Sequence, residues 1–142
     1  MTYLQQKPGV YFSSDRSIIG SDDQIQFLSS VCENESLSMA RICFHNNHDS
    51  PLMVMLIVVI SRFVYPAHKH IWKDELYTLL QGTCFYEQYT DSGLLEFRQP
   101  LLPSQSFLNC NKAFHSIVPT TDLLAFLEVT TGPFTNQSLE IL

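Results

Sequence analysis

At 142 residues the chain has room for one domain with a real hydrophobic core and no second of ordinary size. A formal charge of −6 with only eight Lys and Arg excludes a basic nucleic-acid footprint. The most apolar stretch, 51–60, is roughly half the length a bilayer-spanning helix needs.

The N-terminal segment MTYLQQKPGVYF has no apolar run behind a positive start, so a secretory signal is not expected and the chain is read as cytoplasmic. Cys32, Cys43, Cys84 and Cys110 show no C-x-x-C spacing and are expected as reduced core or wall thiols. Charged residues make up 15% of the chain, below the usual quarter, which suits a compact all-β domain whose surface is partly covered by a partner subunit.

Residues 1–20 read as an extended arm without a period of its own. Ser21-Asp22-Asp23-Gln24 has the form of a capping box, so a helix is predicted from there to about Val31 or Cys32, with Ile25, Phe27 and Leu28 on its buried side. A short strand at 40–45 ends in the Asn46–Pro51 turn cluster. The run 52–65, β-branched and bounded by Pro51 and Pro66, reads as a strand buried on both faces. Further strands are predicted at about 75–80, 83–89, 94–101, 106–108, 115–118 and 123–129. Thr90-Asp91-Ser92-Gly93 has hairpin-turn chemistry. Many short strands behind one helix mean a sandwich or barrel: 1–39 as an arm and helix packing on it, 40–142 as the barrel, together one structural unit.

The chemistry concentrates in Pro66-Ala67-His68-Lys69-His70-Ile71-Trp72-Lys73-Asp74-Glu75. Alternate residues of a strand share a face, so His68 and His70 can close on one ion, and four intervening residues allow a turn that returns Glu75 beside them. Gly82 permits a tight bend after the next strand. His115 is the candidate third imidazole. Three neutral nitrogens and one carboxylate suit a single divalent ion, Fe, Mn, Ni, Co or Zn, with positions left open.

These residues match the first cupin signature, H-x-H, four residues, E, six residues, G. The second signature, usually P-x-G-x-x-H, corresponds to Cys110-Asn111-Lys112-Ala113-Phe114-His115, without the Pro and Gly. From about Arg41 to Phe134 the chain resembles WbuC-type cupin metalloproteins. The carriers are Arg41-Ile42-Cys43-Phe44-His45, Tyr65–His70, Lys73-Asp74-Glu75, Leu79–Gly82, Phe114–Pro119, Phe126-Leu127-Glu128 and Gly132-Pro133-Phe134. The resemblance implies an all-β cupin fold, a double-stranded β-helix or jelly-roll barrel with a short N-terminal helix, and a setting of bacterial surface polysaccharide (O-antigen) assembly.

Several other residues are candidates for lining the pocket. If strand parity runs from Arg62 to His70, Arg62 faces inward as a carboxylate or phosphate clamp and Lys69 faces out; Arg41 is a second substrate-binding candidate. Tyr77 and His45 are candidates for the base that isomerisation or epimerisation would need, while His48 is expected to be solvated and Trp72 lies in the loop between the ligands. The leading functional expectation is an enzyme acting on a small, sugar-like or anionic ligand. An Fe(II) dioxygenase and a non-catalytic metal-dependent binding module are the alternatives. A homodimer, no nucleic acid and no membrane insertion complete the expectation.

Overall fold

The strand Leu52–Ile60 organises the fold, because its two faces enter two different cores. In this computed structural model residues 2–14, 18–110, 112–134 and 139–142 are described. Asn111 of the second signature, 15–17 of the arm and 135–138 of the tail lie outside the described residues.

In chain order the elements are β1 (Tyr3–Lys7), β2 (Val10–Ser13), α1 (Asp22–Asn34), β3 (Met39–Cys43), β4 (Leu52–Ile60), β5 (His68–His70), β6 (Glu75–Gln81), β7 (Cys84–Tyr89), β8 (Leu95–Leu101), β9 (Ser106–Asn109), β10 (Phe114–Pro119), β11 (Leu123–Thr131) and β12 (Leu139–Ile141). One sheet has the order β1-β2-β3-β4-β11-β6-β9 and the other β12-β5-β10-β7-β8. Neighbours are antiparallel except β2 and β3, which are parallel. The sheets face each other across a core that includes Met55, Ile57, Val59, Leu79, Tyr86 and Phe126.

On the outer face of the larger sheet, α1 lays Ile25, Leu28, Val31 and Cys32 on Ala40, Ile42, Leu56 and Val58. Alternation along β4 therefore sends odd residues into the barrel and even ones under the helix, which is why the run lacks polar residues. Gln24 secures the start of α1: its buried amide accepts from the N–H of Gly20 (2.7 Å) and Ser21 (3.2 Å) and donates to the Ile18 carbonyl (2.9 Å). Phe27, expected on the buried side, is half-buried and stacks on Tyr3 of β1.

Two sequence expectations change. The arm supplies strands β1 and β2, which extend the larger sheet, where no strand period was expected. The strand through 65 stops at Ile60, because Ser61 and Arg62 turn the chain with φ of 56° and 53°. The hairpin turn at Thr90–Gly93 forms as expected, with Gly93 at φ 85°. Gly82, at φ 83° between β6 and β7, is packed so closely that a Cβ would collide with the Leu123 carbonyl and the Thr121 hydroxyl. No helix among the described residues is long and apolar enough to cross a membrane.

Candidate metal centre

Strand β5 is only three residues long, yet it is paired on both sides, His68 opposite His115 of β10 and His70 opposite Leu139 of β12. That pairing fixes both imidazoles on the inner face. The loop from β5 to β6 then delivers Glu75, 1% exposed, as the first residue of β6. Ligand atoms of His68, His70 and Glu75 all lie within 4.8 Å of one another. His115, 1% exposed, joins them: its ring centroid is 4.6 Å from that of His68, and its Nε2 is 3.2 Å from Glu75 Oε2.

Hydrogen bonds orient the set. His68 Nδ1 lies 3.0 Å from the Pro66 carbonyl and His115 Nδ1 lies 3.1 Å from that of Ala113. A proton on His68 Nδ1 leaves its Nε2 as a lone-pair donor, while His115 also has Asn109 Nδ2 2.9 Å from Nδ1 and the Tyr77 hydroxyl 3.0 Å from Nε2. Tyr77 donates to Glu75 Oε1 at 2.9 Å, and Asn109 Nδ2 donates to Oε2 at 3.1 Å. His70 Nε2 is 3.1 Å from Glu75 Oε1, while its buried Nδ1 has no hydrogen-bond partner.

The electrostatics favour the ligating forms of His68, His115 and Glu75. Burial, reinforced by neighbouring His115 and His70, pushes His68 down to about 4, and burial likewise lowers His115. Burial alone would raise Glu75, but the His70 hydrogen bond and the charges of His115 and His70 outweigh it and hold the carboxyl below its ordinary range. His70 Nε2 and His115 Nε2 both lie about 3 Å from the Glu75 carboxylate, so nitrogen and oxygen donors converge on one small space. The donor set fits a divalent metal ion.

The lowered His68 value has a consequence for the metal-free protein. Unfolded, the imidazole titrates near 6.5; folded, it takes up its proton only near 4. Its contribution to stability is thus flat above about pH 6.5 and falls as the pH drops from there towards 4, by at most about 1.4 kcal/mol per pH unit. Urea midpoints of chelator-treated protein between pH 7 and 4 should show that loss, and His68→Asn should flatten it. An equal slope in the variant would contradict the assignment.

A cavity of about 780 Å³ adjoins this centre, bounded by the inner faces of β3, β4 and β11. Arg41 and His45 lie in its wall, as does Tyr77. His45 is buried, with Nδ1 3.2 Å from both the N–H and the carbonyl of Val54, and burial keeps its imidazole neutral. Burial and the charges of Glu128 and Glu75 raise Tyr77 well above the ordinary phenol range, so it acts as a protonated donor to Glu75; the base role expected of it does not suit that environment.

Arg62 is not brought to the cavity. Because β4 ends at Ile60, the parity that would aim Arg62 inward is lost, and its exposed guanidinium pairs with exposed Asp122 at 2.9 Å. Lys69 lies outside the cavity, bridging Asp91 and Glu140. Trp72 is exposed, and so is His48, although its ring reaches the cavity rim beside Phe12 and Phe134.

Three polar residues at the site were given no role by the sequence reading, although Lys73 and Glu128 lie in the segments that carry the resemblance. Asn109 is 2% exposed behind Glu75, Lys73 is 5% exposed in the loop before it, and Glu128 lies in the cavity wall, where burial and the Glu75 charge raise its carboxyl to about 7. Glu128 had a readable signal: Leu124, Phe126, Glu128 and Thr130 share the inward face of β11, so a charge interrupts an apolar alternation.

No protein-family model matches the sequence, and no protein of curated function matches it. Solved structures do match. KdgF from Halomonas sp. is 17% identical over 70% of this chain and 83% of that one, with a TM-score of 0.57. A cupin superfamily protein from Desulfitobacterium hafniense is 14% identical over 66% and 76%, with a TM-score of 0.55. The oxalate decarboxylase of Lactobacillus farciminis is 19% identical over 66% of this chain but only 27% of its own, with a TM-score of 0.55. At these identities the likeness is one of fold. The chain has an all-β cupin fold.

Proposed function

We propose that this cupin-fold chain is a metal-dependent enzyme acting on a small sugar or sugar-nucleotide-like substrate in bacterial surface polysaccharide assembly. The observation that supports it most is the convergence of His68, His70, Glu75 and His115 beside a cavity of about 780 Å³, large enough for such a ligand. Those four side chains would hold the ion. When bound, the ion supplies Lewis acidity that polarises a carbonyl or hydroxyl of the substrate.

The chain's own groups supply the rest. Tyr77 and Asn109 fix the Glu75 carboxylate, one on each oxygen. His45, neutral and in the cavity wall, would accept a proton from a carbon beside the polarised carbonyl. Three of the segments that carry the WbuC resemblance support this reading: residues of Arg41 to His45 and of Phe126 to Glu128 line the cavity, and the His68–Glu75 stretch carries ligands.

The test is solvent-deuterium wash-in. Metal-loaded protein incubated in deuterated buffer with a panel of hexose phosphates and sugar nucleotides should exchange one carbon-bound hydrogen in at least one member, seen by proton NMR. His45→Gln should slow exchange by about a hundredfold or more at unchanged metal content. Absence of exchange across the panel would contradict the isomerase reading.

A homodimer in the cytoplasm belongs to the same proposal. Exposed Leu76 and Leu108 are cross-strand partners on the outer face of β6 and edge strand β9, and Cys32, Cys43 and Cys84 are buried free thiols. Sedimentation velocity showing monomer alone would remove the dimer.

A further inference from the structure

Two cations in the cavity wall have carboxylates nearby, Glu128 for both and Glu75 for Lys73, but no ion-pair contact with either. Lys73 is 5% exposed, and its ammonium has for company the Met53 thioether sulfur at 3.7 Å and the face of the Phe134 ring at 5.0 Å. A thioether is a weak acceptor, and a ring face replaces little of the water an ammonium loses on burial. Arg41 projects from β3 into the same cavity, and its buried Nε has no hydrogen-bond partner. Among the described residues neither makes an ion pair. Glu128, the carboxylate in the same wall, is close enough to feel both charges and pairs with neither.

A buried, unpaired charge costs several kcal/mol and persists where something outside the chain repays it. The flexible Lys73 stem could have carried its ammonium to solvent from this surface loop, yet it is packed inward. In a chain of net charge −6, holding an anion in a cavity also requires local positive charge in its wall.

We propose that Arg41 and Lys73 form an oxyanion subsite, which holds a carboxylate or phosphate group of the ligand while the remainder of the molecule reaches the metal centre. This rests on the reading of the metal site above and narrows its substrate to acidic sugars. Arg41 offers the unpartnered Nε–H beside its terminal nitrogens, a directional donor set for two oxygens, and Lys73 adds a point charge from the facing loop.

Calorimetric titration of the metal-loaded protein with D-galacturonate, D-galactose 1-phosphate and neutral D-galactose tests the subsite. At least one acidic probe should bind about tenfold or more tightly than galactose, and the tighter of the two identifies the anion. Arg41→Gln and Lys73→Met should each lose about that factor while leaving galactose affinity and metal content unchanged. Lys73→Met should also be no less stable than the parent in urea, because an isosteric apolar chain replaces an unpaired buried charge; a merely structural lysine predicts the opposite.

Equal affinity for acidic and neutral probes, binding of none of them, or variants that bind acid as the parent does would overturn the proposal. So would variants that lose metal together with affinity, since Arg41 and Lys73 would then be supports of the metal centre. The metal-free His68→Ala/His70→Ala protein separates the two readings: acid binding that survives there and still depends on Lys73 keeps the subsite even if the metal reading fails.

Discussion

Glu75→Gln should retain the fold and lose its metal, with affinity falling by more than about a hundredfold. Loss of a partner behind a ligand typically costs 10–100-fold, and here a ligand itself is changed. The carboxylate is the anionic member of a set that otherwise holds three imidazoles, so it supplies the negative charge that offsets part of a dication's charge in this buried place. The amide keeps the shape but places a donor where Asn109 Nδ2 or the Tyr77 hydroxyl already donates, so the metal-free variant should also be about 1–3 kcal/mol less stable. Asn109→Ala and Tyr77→Phe should fall between, at about 10–100-fold in affinity. Competition with a chelating dye gives these affinities; unchanged binding in Glu75→Gln would remove the carboxylate from the site.

Leu56→Ala should cost about 2–5 kcal/mol of stability while leaving metal content intact. Leu56 is fully buried in the middle of β4, on the face covered by α1, where it packs with Leu28, Ile42 and Val58. Its Cβ points away from the cavity, so the lost packing falls on helix docking and the metal centre is spared. For a chain of this size the thermal midpoint should drop by roughly 5–20 °C. Loss of metal along with stability would show that the two cores are not separable in the way their membership indicates.

The legible parts of the molecule were those that repeat a simple period or carry local chemistry. The β4 run was recognisable as buried on both faces, and the capping sequence at Ser21 located α1. The same arithmetic placed His68 and His70 on one face, and Gly82 marked a bend where only glycine fits. Parity failed at Arg62, because counting by twos assumes an unbroken strand and two consecutive left-handed residues intervene. The strands β1 and β2 were hidden since an edge hairpin, with β1 largely exposed, needs no apolar alternation. Lys73 was hidden for another reason: loop residues have no period, so nothing local distinguishes a lysine packed inward from one in water.

The central claim is a metal ion held by His68, His70, Glu75 and His115. Plasma mass spectrometry of protein purified without an affinity tag or chelator, beside His68→Ala/His70→Ala, tests it most directly. Near-stoichiometric divalent metal in the parent and its loss in a folded variant is the result expected. Folded parent protein that carries no metal and cannot be reloaded with Fe, Mn, Ni, Co or Zn would contradict it.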